Sequence, residues 1–315
     1  LGVSEQIGGK SLCCAPARGG AGAVASLPGG GGPRPPARDI PGGMALIGTA
    51  EPLIAQDGEG PLRTRRLGRF RMAETAVTNA QFADFVDSTG WETEAERFGW
   101  SFVFWDQVDA AVGPTLGVAD VEWWRRVDGA TWRDINGPGT AGRDWDPDHP
   151  VVHLSWNDAR AFARWVGGRL PTEAEWEHAA RGGLGDVRFP WGTREPDDSD
   201  FQPCNIWQGR FPRHNSCADG FAATAPARSF AANGFGLYNM CGNVWEWTAE
   251  PFRVRSQKRA ARAQQARMQG FKLIKGGSFL CHKSYCYRYR IAARTGNSAD
   301  STTSHMGFRV VWDGA

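Results

Sequence analysis

Gly168-Arg169-Leu170-Pro171-Thr172-Glu173-Ala174-Glu175-Trp176-Glu177 is the stretch from which the fold can be read. Pro171-Thr172 starts a helix, with Thr172 as N-cap and Glu175, three residues on, completing a capping box. The Gly167-Gly168 pair just before it ends an earlier helix. That helix follows Ser155 and carries Ala161, Phe162, Trp165 and Val166 at helical spacing. Further upstream, Thr78-Asn79 precedes Phe82, Phe85 and Val86, the pattern of a third capped helix. Ala45 to Ile54 and Leu67 to Met72 read as short strands separated by a polar, Gly-containing turn. Downstream of Gly183, Gly, Asn, Asp and Pro recur every few residues, so long regular elements are not expected. These signals together predict a few capped helices and short strands in a loop-rich chain of low regular secondary structure.

Composition agrees. The 315 residues are 41% hydrophobic and include 15 Trp, 41 Gly and 19 Pro, a mixture suited to a loop-rich domain held by aromatic packing. A formal charge of +2 points to neither a nucleic-acid partner nor a membrane surface, and no apolar run approaches a membrane span. Residues 1–40 are rich in Gly, Pro and Ala and are expected to be a flexible tail, with one domain over 41–315. No basic and apolar leader is evident at the start of the sequence. Arg253, Arg255, Lys258, Arg259, Arg262 and Arg267 sit among Ala and Gln. That segment reads as an exposed helix or mobile insertion, because no aromatics interleave with the charges as a nucleic-acid site would need.

Seven cysteines are present: Cys13, Cys14, Cys204, Cys217, Cys241, Cys281 and Cys286. An odd, loosely spaced set does not form a disulfide framework, so a reducing, cytoplasmic compartment is expected. Cys204 with Cys217 is the other plausible bridge. Chemistry concentrates in Gly276-Gly277-Ser278-Phe279-Leu280-Cys281-His282-Lys283-Ser284-Tyr285-Cys286. Two close thiolates can hold Cu(I) or Zn(II), close as a disulfide, or attack another sulfur. Zinc ordinarily takes four N and S ligands, and no second pair lies at finger-like spacing, whereas Cu(I) tolerates two soft ligands. Spacing alone leaves a disulfide or simple packing open.

A second group is rich in oxygen donors: Asn205-Ile206-Trp207-Gln208-Gly209, Asp219-Gly220-Phe221, and Gly236 to Trp247. Such donors suit Ca²⁺, although Asn and Asp in Gly-rich loops commonly just make turns. No phosphate loop, nucleophile elbow or His-Glu-x-x-His is present. The six histidines are scattered, and His149 and His153 read as core or turn residues.

These stretches together resemble the formylglycine-generating enzyme family, or sulfatase-modifying factors, of bacterial type. The matching motifs are Glu74 to Phe82, His149 to Ala159, Gly168 to Glu177, Asn205 to Gly209, Gly242 to Trp247, the Gly276–Cys286 block and Gly307-Phe308-Arg309. The match runs from about Pro41 to Val311. The resemblance implies an α+β, C-type-lectin-like fold of low regular secondary structure, with short antiparallel hairpins and a few helices, as a single catalytic domain. It also implies a copper-dependent oxidase that uses O2 and a reductant. The substrate would be the cysteine of a Cys-x-Pro-x-Arg motif in an unfolded sulfatase polypeptide, converted to Cα-formylglycine. It would place Cys281 and Cys286 on Cu(I), with Ser278 beside them. Trp245, Tyr285, Arg294, Ser101 and His305 would surround substrate and oxygen. One structural Ca²⁺ would take Asn205, Asp219 and the carbonyls of Ile206 and Phe221. Another would take Asn239, Glu246 and the carbonyls of Gly242 and Val244.

Departures are informative. Ala163 with Val310 and Ala180 with Ile291 stand where secreted animal members carry two disulfides. Trp100 replaces an acidic residue in Phe-Gly-x-Ser, and His305 replaces Asn, both at positions that contact substrate peptide in the family. The entry motif Met-Gly-x-Asp reads Ala45-Leu46-Ile47-Gly48-Thr49. Two other readings are a non-catalytic lectin-like module, for which both cysteines would be dispensable, and an iron-dependent sulfoxide synthase, for which the His-rich ligand set is lacking. The tail itself carries Cys14-Ala15-Pro16-Ala17-Arg18, a Cys-x-Pro-x-Arg motif. Coincidence is the default for so short a pattern. The alternatives are a tethered self-substrate or autoinhibitory segment, or a Cys13-Cys14 pair that ferries copper.

Overall fold

The computed structural model describes residues 16–18, 27–254 and 256–314. The first half contains β1 (Ala37–Ile40), β2 (Gly43–Ile47), β3 (Arg63–Leu67), β4 (Phe70–Ala73), α1 (Asn79–Thr89) and α2 (Glu94–Phe98). β5 (Trp100–Phe104), β6 (Leu116–Val118), β7 (Val121–Asp128), α3 (Ala141–Asp144), α4 (Trp156–Trp165) and α5 (Glu173–Arg181) follow. The second half has β8 (Gly209–Arg210), β9 (His214–Asn215), β10 (Trp245–Pro251), α6 (Arg259–Arg267) and β11 (Lys272–Lys275). β12 (Thr295–Asn297), β13 (Met306–Gly307) and β14 (Val311–Asp313) complete the chain.

Local chemistry sets the helices. Thr78, Ser155 and Thr172 each cap their helix with a complete capping box, closed by Gln81, Asp158 and Glu175. The short α2 repeats the device with Thr93 and Glu96. α1 and α4 then pack through aromatic rings: Phe85 meets Phe162 edge-on at 5.6 Å, and Phe82 stacks on Phe162 at 6.0 Å. Each such side chain contributes roughly 1.5–3 kcal/mol by leaving water.

The sheets are small: β1-β4-β14, β12-β11-β10-β13, β5-β7-β6 and the hairpins β2-β3 and β8-β9. All pairs are antiparallel except β10 with β13. Two expectations need correction here. The strand foreseen to Ile54 stops at Ile47, because Gly48 turns at φ +74° where an added Cβ would lie 2.5 Å from the Glu59 carbonyl oxygen. The strand foreseen over Leu67 to Met72 is two strands, since β3 pairs with β2 while β4 pairs with β1 and β14.

Order also begins before residue 41. β1 lies inside the expected tail, pairs with β4 and buries Ile40. The basic segment is a docked helix, not a mobile insertion: Ala261 and Met268 are buried, and Gln264 Nε2 donates to Asp57 Oδ1 at 2.9 Å. Cys204 and Cys217 are unpaired, so the bridge foreseen between them is not formed. Ala163 and Val310 lie in one apolar cluster and Ala180 and Ile291 in another, so aliphatic packing fills both positions. No helix among the described residues is long and apolar enough to cross a membrane.

Candidate active site

The Gly276–Cys286 block leaves the end of β11 through two glycines at φ +93° and +74°. The second has no alternative: a Cβ on Gly277 would sit 2.8 Å from the Tyr289 Cα. Cys281 N–H donates to the Ser278 carbonyl (2.9 Å) and Cys286 N–H to the His282 carbonyl (2.8 Å). These two tight turns fold the segment back on itself. The five-residue spacing thereby becomes a facing pair, Cys281 Sγ donating to Cys286 Sγ at 3.2 Å, both buried and not joined as a disulfide. The Ser278 N–H donates to Cys281 Sγ (3.4 Å). The Ser278 hydroxyl accepts from Leu280 N–H at 3.3 Å.

A small cavity is lined by Cys281, Cys286, Ser278, Trp245, Tyr285 and His305 together with neighbouring aromatics. Six of the residues singled out from the sequence therefore meet at one place. Tyr285 stacks on Phe211 at 4.1 Å and meets Trp123 edge-on, and His305 meets Trp124 edge-on at 4.5 Å. Among the described residues, Trp245 Nε1 and both His305 ring nitrogens are buried without a hydrogen-bond partner. Burial pushes His305 down to about 3, so the imidazole is neutral and offers one donor and one acceptor. Unpaired buried polar atoms cost stability, and their convergence on a cavity marks a place built for a ligand. His282 is turned aside, with Nδ1 on the Ser284 hydroxyl at 2.7 Å.

Arg294 is not brought to this cavity. Its guanidinium is bound to Glu173 (2.5 Å) and to the carbonyls of Asp57 and Gly58. It belongs to a buried ionic layer under the block, with Lys275–Glu177 at 2.7 Å, Arg288–Asp57 at 2.7 Å and Arg290–Glu59 at 2.5 Å. Ser101 lies elsewhere too, on β5, bonded to Thr302 Oγ1 and to His153 Nδ1, each at 2.7 Å.

The oxygen-donor sets differ from each other. Asn205 Oδ1 is buried and unpartnered, and Asp219 is within bonding distance of Ile206 N–H (3.1 Å). Burial raises the Asp219 carboxyl above its ordinary value. These residues fit a hard cation. In the second set Asn239 Oδ1 is also unpartnered, but Glu246 is already held by Arg309 (2.6 Å) and by Trp176 Nε1 (2.7 Å). Its charge is neutralised there, so this set does not fit a divalent cation. Among the described residues no three His, Cys, Asp or Glu side chains cluster to hold a metal. The two thiols do fit a soft monovalent ion that accepts two sulfur ligands.

Sequence reasoning missed the strip Asn297–Ser304, whose polar side chains are nearly all buried. A run of hydroxyls and amides directly before His305 was the available signal. The strip lies along β5: Thr303 bridges Phe102, and Ser304 N–H donates to the Phe102 carbonyl at 2.9 Å.

Comparison with known proteins bears on this site. The family model described as sulfatase-modifying factor enzyme 1-like domain matches residues 35–314. The chain is 50% identical over 285 residues to the formylglycine-generating enzyme of Thermomonospora curvata, spanning 87% of this chain and 92% of that one. It is 47% identical over 299 residues to that of Bos taurus, spanning 93% and 79%. The solved structure of PvdO from Pseudomonas aeruginosa matches with a TM-score of 0.60 at 20% identity, over 93% of this chain and 100% of that one, a likeness of fold alone.

Proposed function

The chain belongs to the sulfatase-modifying factor family and is an oxidase that converts cysteine to formylglycine in sulfatase maturation; from that premise we propose that it works with Cu(I) on Cys281 and Cys286 and with O2. The observation that carries this reading is the reduced, buried, facing thiol pair on the wall of a cavity with unpartnered polar atoms. Bound there, Cu(I) would supply the one-electron chemistry with dioxygen that thiols lack.

The reaction balances when the thiol side chain and dioxygen take up two electrons and two protons and give the aldehyde, hydrogen sulfide and water. A reductant supplying those two electrons is therefore a partner. The protein's own groups bind, orient and exclude water. Ser278 N–H donates to the Cys281 sulfur and fixes its position. Stacked Tyr285 and Phe211 wall the cavity against solvent. Neutral His305 and the Trp245 N–H offer hydrogen bonds to whatever enters. The substrate is a polypeptide segment with Cys-x-Pro-x-Arg. A cytoplasmic site of action is supported by the aliphatic pairs Ala163/Val310 and Ala180/Ile291 and by the unpaired Cys204, Cys217 and Cys241. We also assign a structural Ca²⁺ to Asn205, Asp219 and the carbonyls of Ile206 and Phe221; removal by a chelator is expected to lower the melting temperature.

Aerobic turnover of a short Cys-x-Pro-x-Arg peptide, read by mass, tests the oxidase. Conversion of the thiol to the aldehyde that requires added copper is the expected result. Conversion indifferent to a Cu(I) chelator removes the copper assignment, and no conversion by reduced, copper-loaded protein removes the reaction.

A further inference from the structure

Three residues of the expected flexible tail are held against the body of the protein. The Pro16 carbonyl accepts from Ser301 Oγ at 2.6 Å and from Asn297 Nδ2 at 3.2 Å. Ala17 is buried in a cluster with Phe252, Met268, Phe271 and Leu273. Arg18 lies over the rings of Phe98 (4.2 Å) and Trp100 (4.0 Å). Its nitrogens donate to the Trp100 carbonyl, to the Glu94 carbonyl (3.4 Å) and to Thr302 Oγ1 (3.1 Å). A chance contact of a low-complexity tail would leave a guanidinium in water. Here it is stacked and bonded along one side of the Asn297–Ser304 strip.

The receiving groups are oriented in advance. His153 Nε2 faces the Ile135 carbonyl at 2.9 Å and must donate to it, so the neutral ring accepts at Nδ1 from the Ser101 hydroxyl. Ser101 Oγ then accepts from Thr302 Oγ1. Thr302 is left with a lone pair for an outside donor, which Arg18 satisfies. This relay explains the buried Ser101 and His153, which the thiol cavity does not use. The same strip leads on to His305, which lines that cavity. Pro16-Ala17-Arg18 is the Pro-x-Arg half of Cys14-Ala15-Pro16-Ala17-Arg18; Cys13 and Cys14 lie outside the described residues.

We propose that Pro16-Ala17-Arg18 occupies the substrate-peptide groove of this enzyme as a tethered competitor, which a sulfatase segment displaces in order to reach the thiols. The proposal rests on the substrate reading above. A covalently attached motif meets its groove at a high effective concentration, so even modest intrinsic affinity keeps it seated. The groove reads arginine by its flat face and by backbone carbonyls, which suits guanidinium over ammonium.

The test compares the full chain with its Arg18→Ala and Arg18→Lys variants. One readout is the Kd of a fluorescent Ser-x-Pro-x-Arg peptide, which has no thiol to oxidise. The other is KM and kcat for the matching Cys peptide. Arg18→Ala is expected to lower both Kd and KM by about tenfold with kcat unchanged, and Arg18→Lys to fall between. Free Cys-Ala-Pro-Ala-Arg peptide is expected to compete with the fluorescent peptide on the wild-type protein. Equal Kd for wild type and Arg18→Ala at matching melting temperatures overturns the proposal, as does failure of the free peptide to compete. Tighter peptide binding by the variant with no turnover by either protein keeps the tethered competitor and removes the oxidase reading. Turnover with unchanged Kd and KM does the reverse.

Discussion

The thiols of the cavity and the cations of the ionic layer come from one continuous stretch, Lys275 to Arg294, yet their two surroundings are opposite in kind. In the layer Lys275, Arg288, Arg290 and Arg294 each have a carboxylate at hydrogen-bonding distance, 2.5 to 2.7 Å away. In the cavity Trp245 Nε1 and both His305 nitrogens have none. Groups that are saturated by their neighbours hold the fold together and are closed to a ligand. Groups left unsatisfied weaken the fold locally and are what a substrate completes. The distinction separates Arg294 and Glu246, assigned from the family resemblance to binding roles, from Cys281, Cys286 and His305.

The largest effect expected from that contrast is in the cavity. Cys281→Ala or Cys286→Ala should abolish peptide conversion, a loss of at least about 10³-fold, while costing only about 1 kcal/mol of stability. Steady-state turnover and a denaturant melt on the same samples check this; residual turnover within tenfold of wild type would point to a binding module. In the layer the balance reverses. Glu177→Gln removes the charge 2.7 Å from the buried Lys275 ammonium, leaving Glu173 at 3.8 Å as its carboxylate, and should cost about 3 kcal/mol, read by denaturant unfolding. A cost below about 1 kcal/mol would show that the layer is not closed.

A smaller effect concerns pH. His153 is wholly buried, and burial pushes its pKa down to about 3. Above pH 6.5 it is neutral folded or unfolded and contributes nothing to pH dependence. As pH falls from 6.5 toward 3, only the unfolded chain binds this proton, so stability is lost at about 1.4 kcal/mol per pH unit. Asp158, pushed up to about 6 by burial, acts oppositely between its ordinary 3.8 and 6, which is why a difference is needed. Subtracting the pH–stability curve of His153→Gln from wild type should isolate the His153 slope; parallel curves would contradict it. The smallest effect is at a cap: Thr172→Ala should cost about 1 kcal/mol in thermal unfolding, with turnover unchanged.

Much of this was legible locally. The caps at Thr78, Ser155 and Thr172 depend on side chains within three residues of each other, so their sequence pattern is nearly their structure. The thiol pair was legible because two turns bridge its five-residue spacing. Strand ends were less so. Ile47 ends β2 because Gly48 meets the backbone of Glu59, a contact no local pattern announces. The partners of Arg294 and Glu246 were hidden for the same reason, since Glu173 and Arg309 lie 121 and 63 residues away. The strand that begins at Ala37 depends on pairing with β4, which a Gly- and Pro-rich composition conceals.

The sequence by itself determined the family, the three helices capped at Thr78, Ser155 and Thr172 and the pair of sulfurs, because each rests on residue types at short, fixed separations. Tertiary structure alone decided which charges are closed and which polar atoms stay open. It also brought Pro16-Ala17-Arg18 onto Asn297, Ser301 and Thr302, across more than 280 residues of chain. Hydrogen bonds and ring contacts act over a few ångströms of space, and only the folded chain sets which residues share that space.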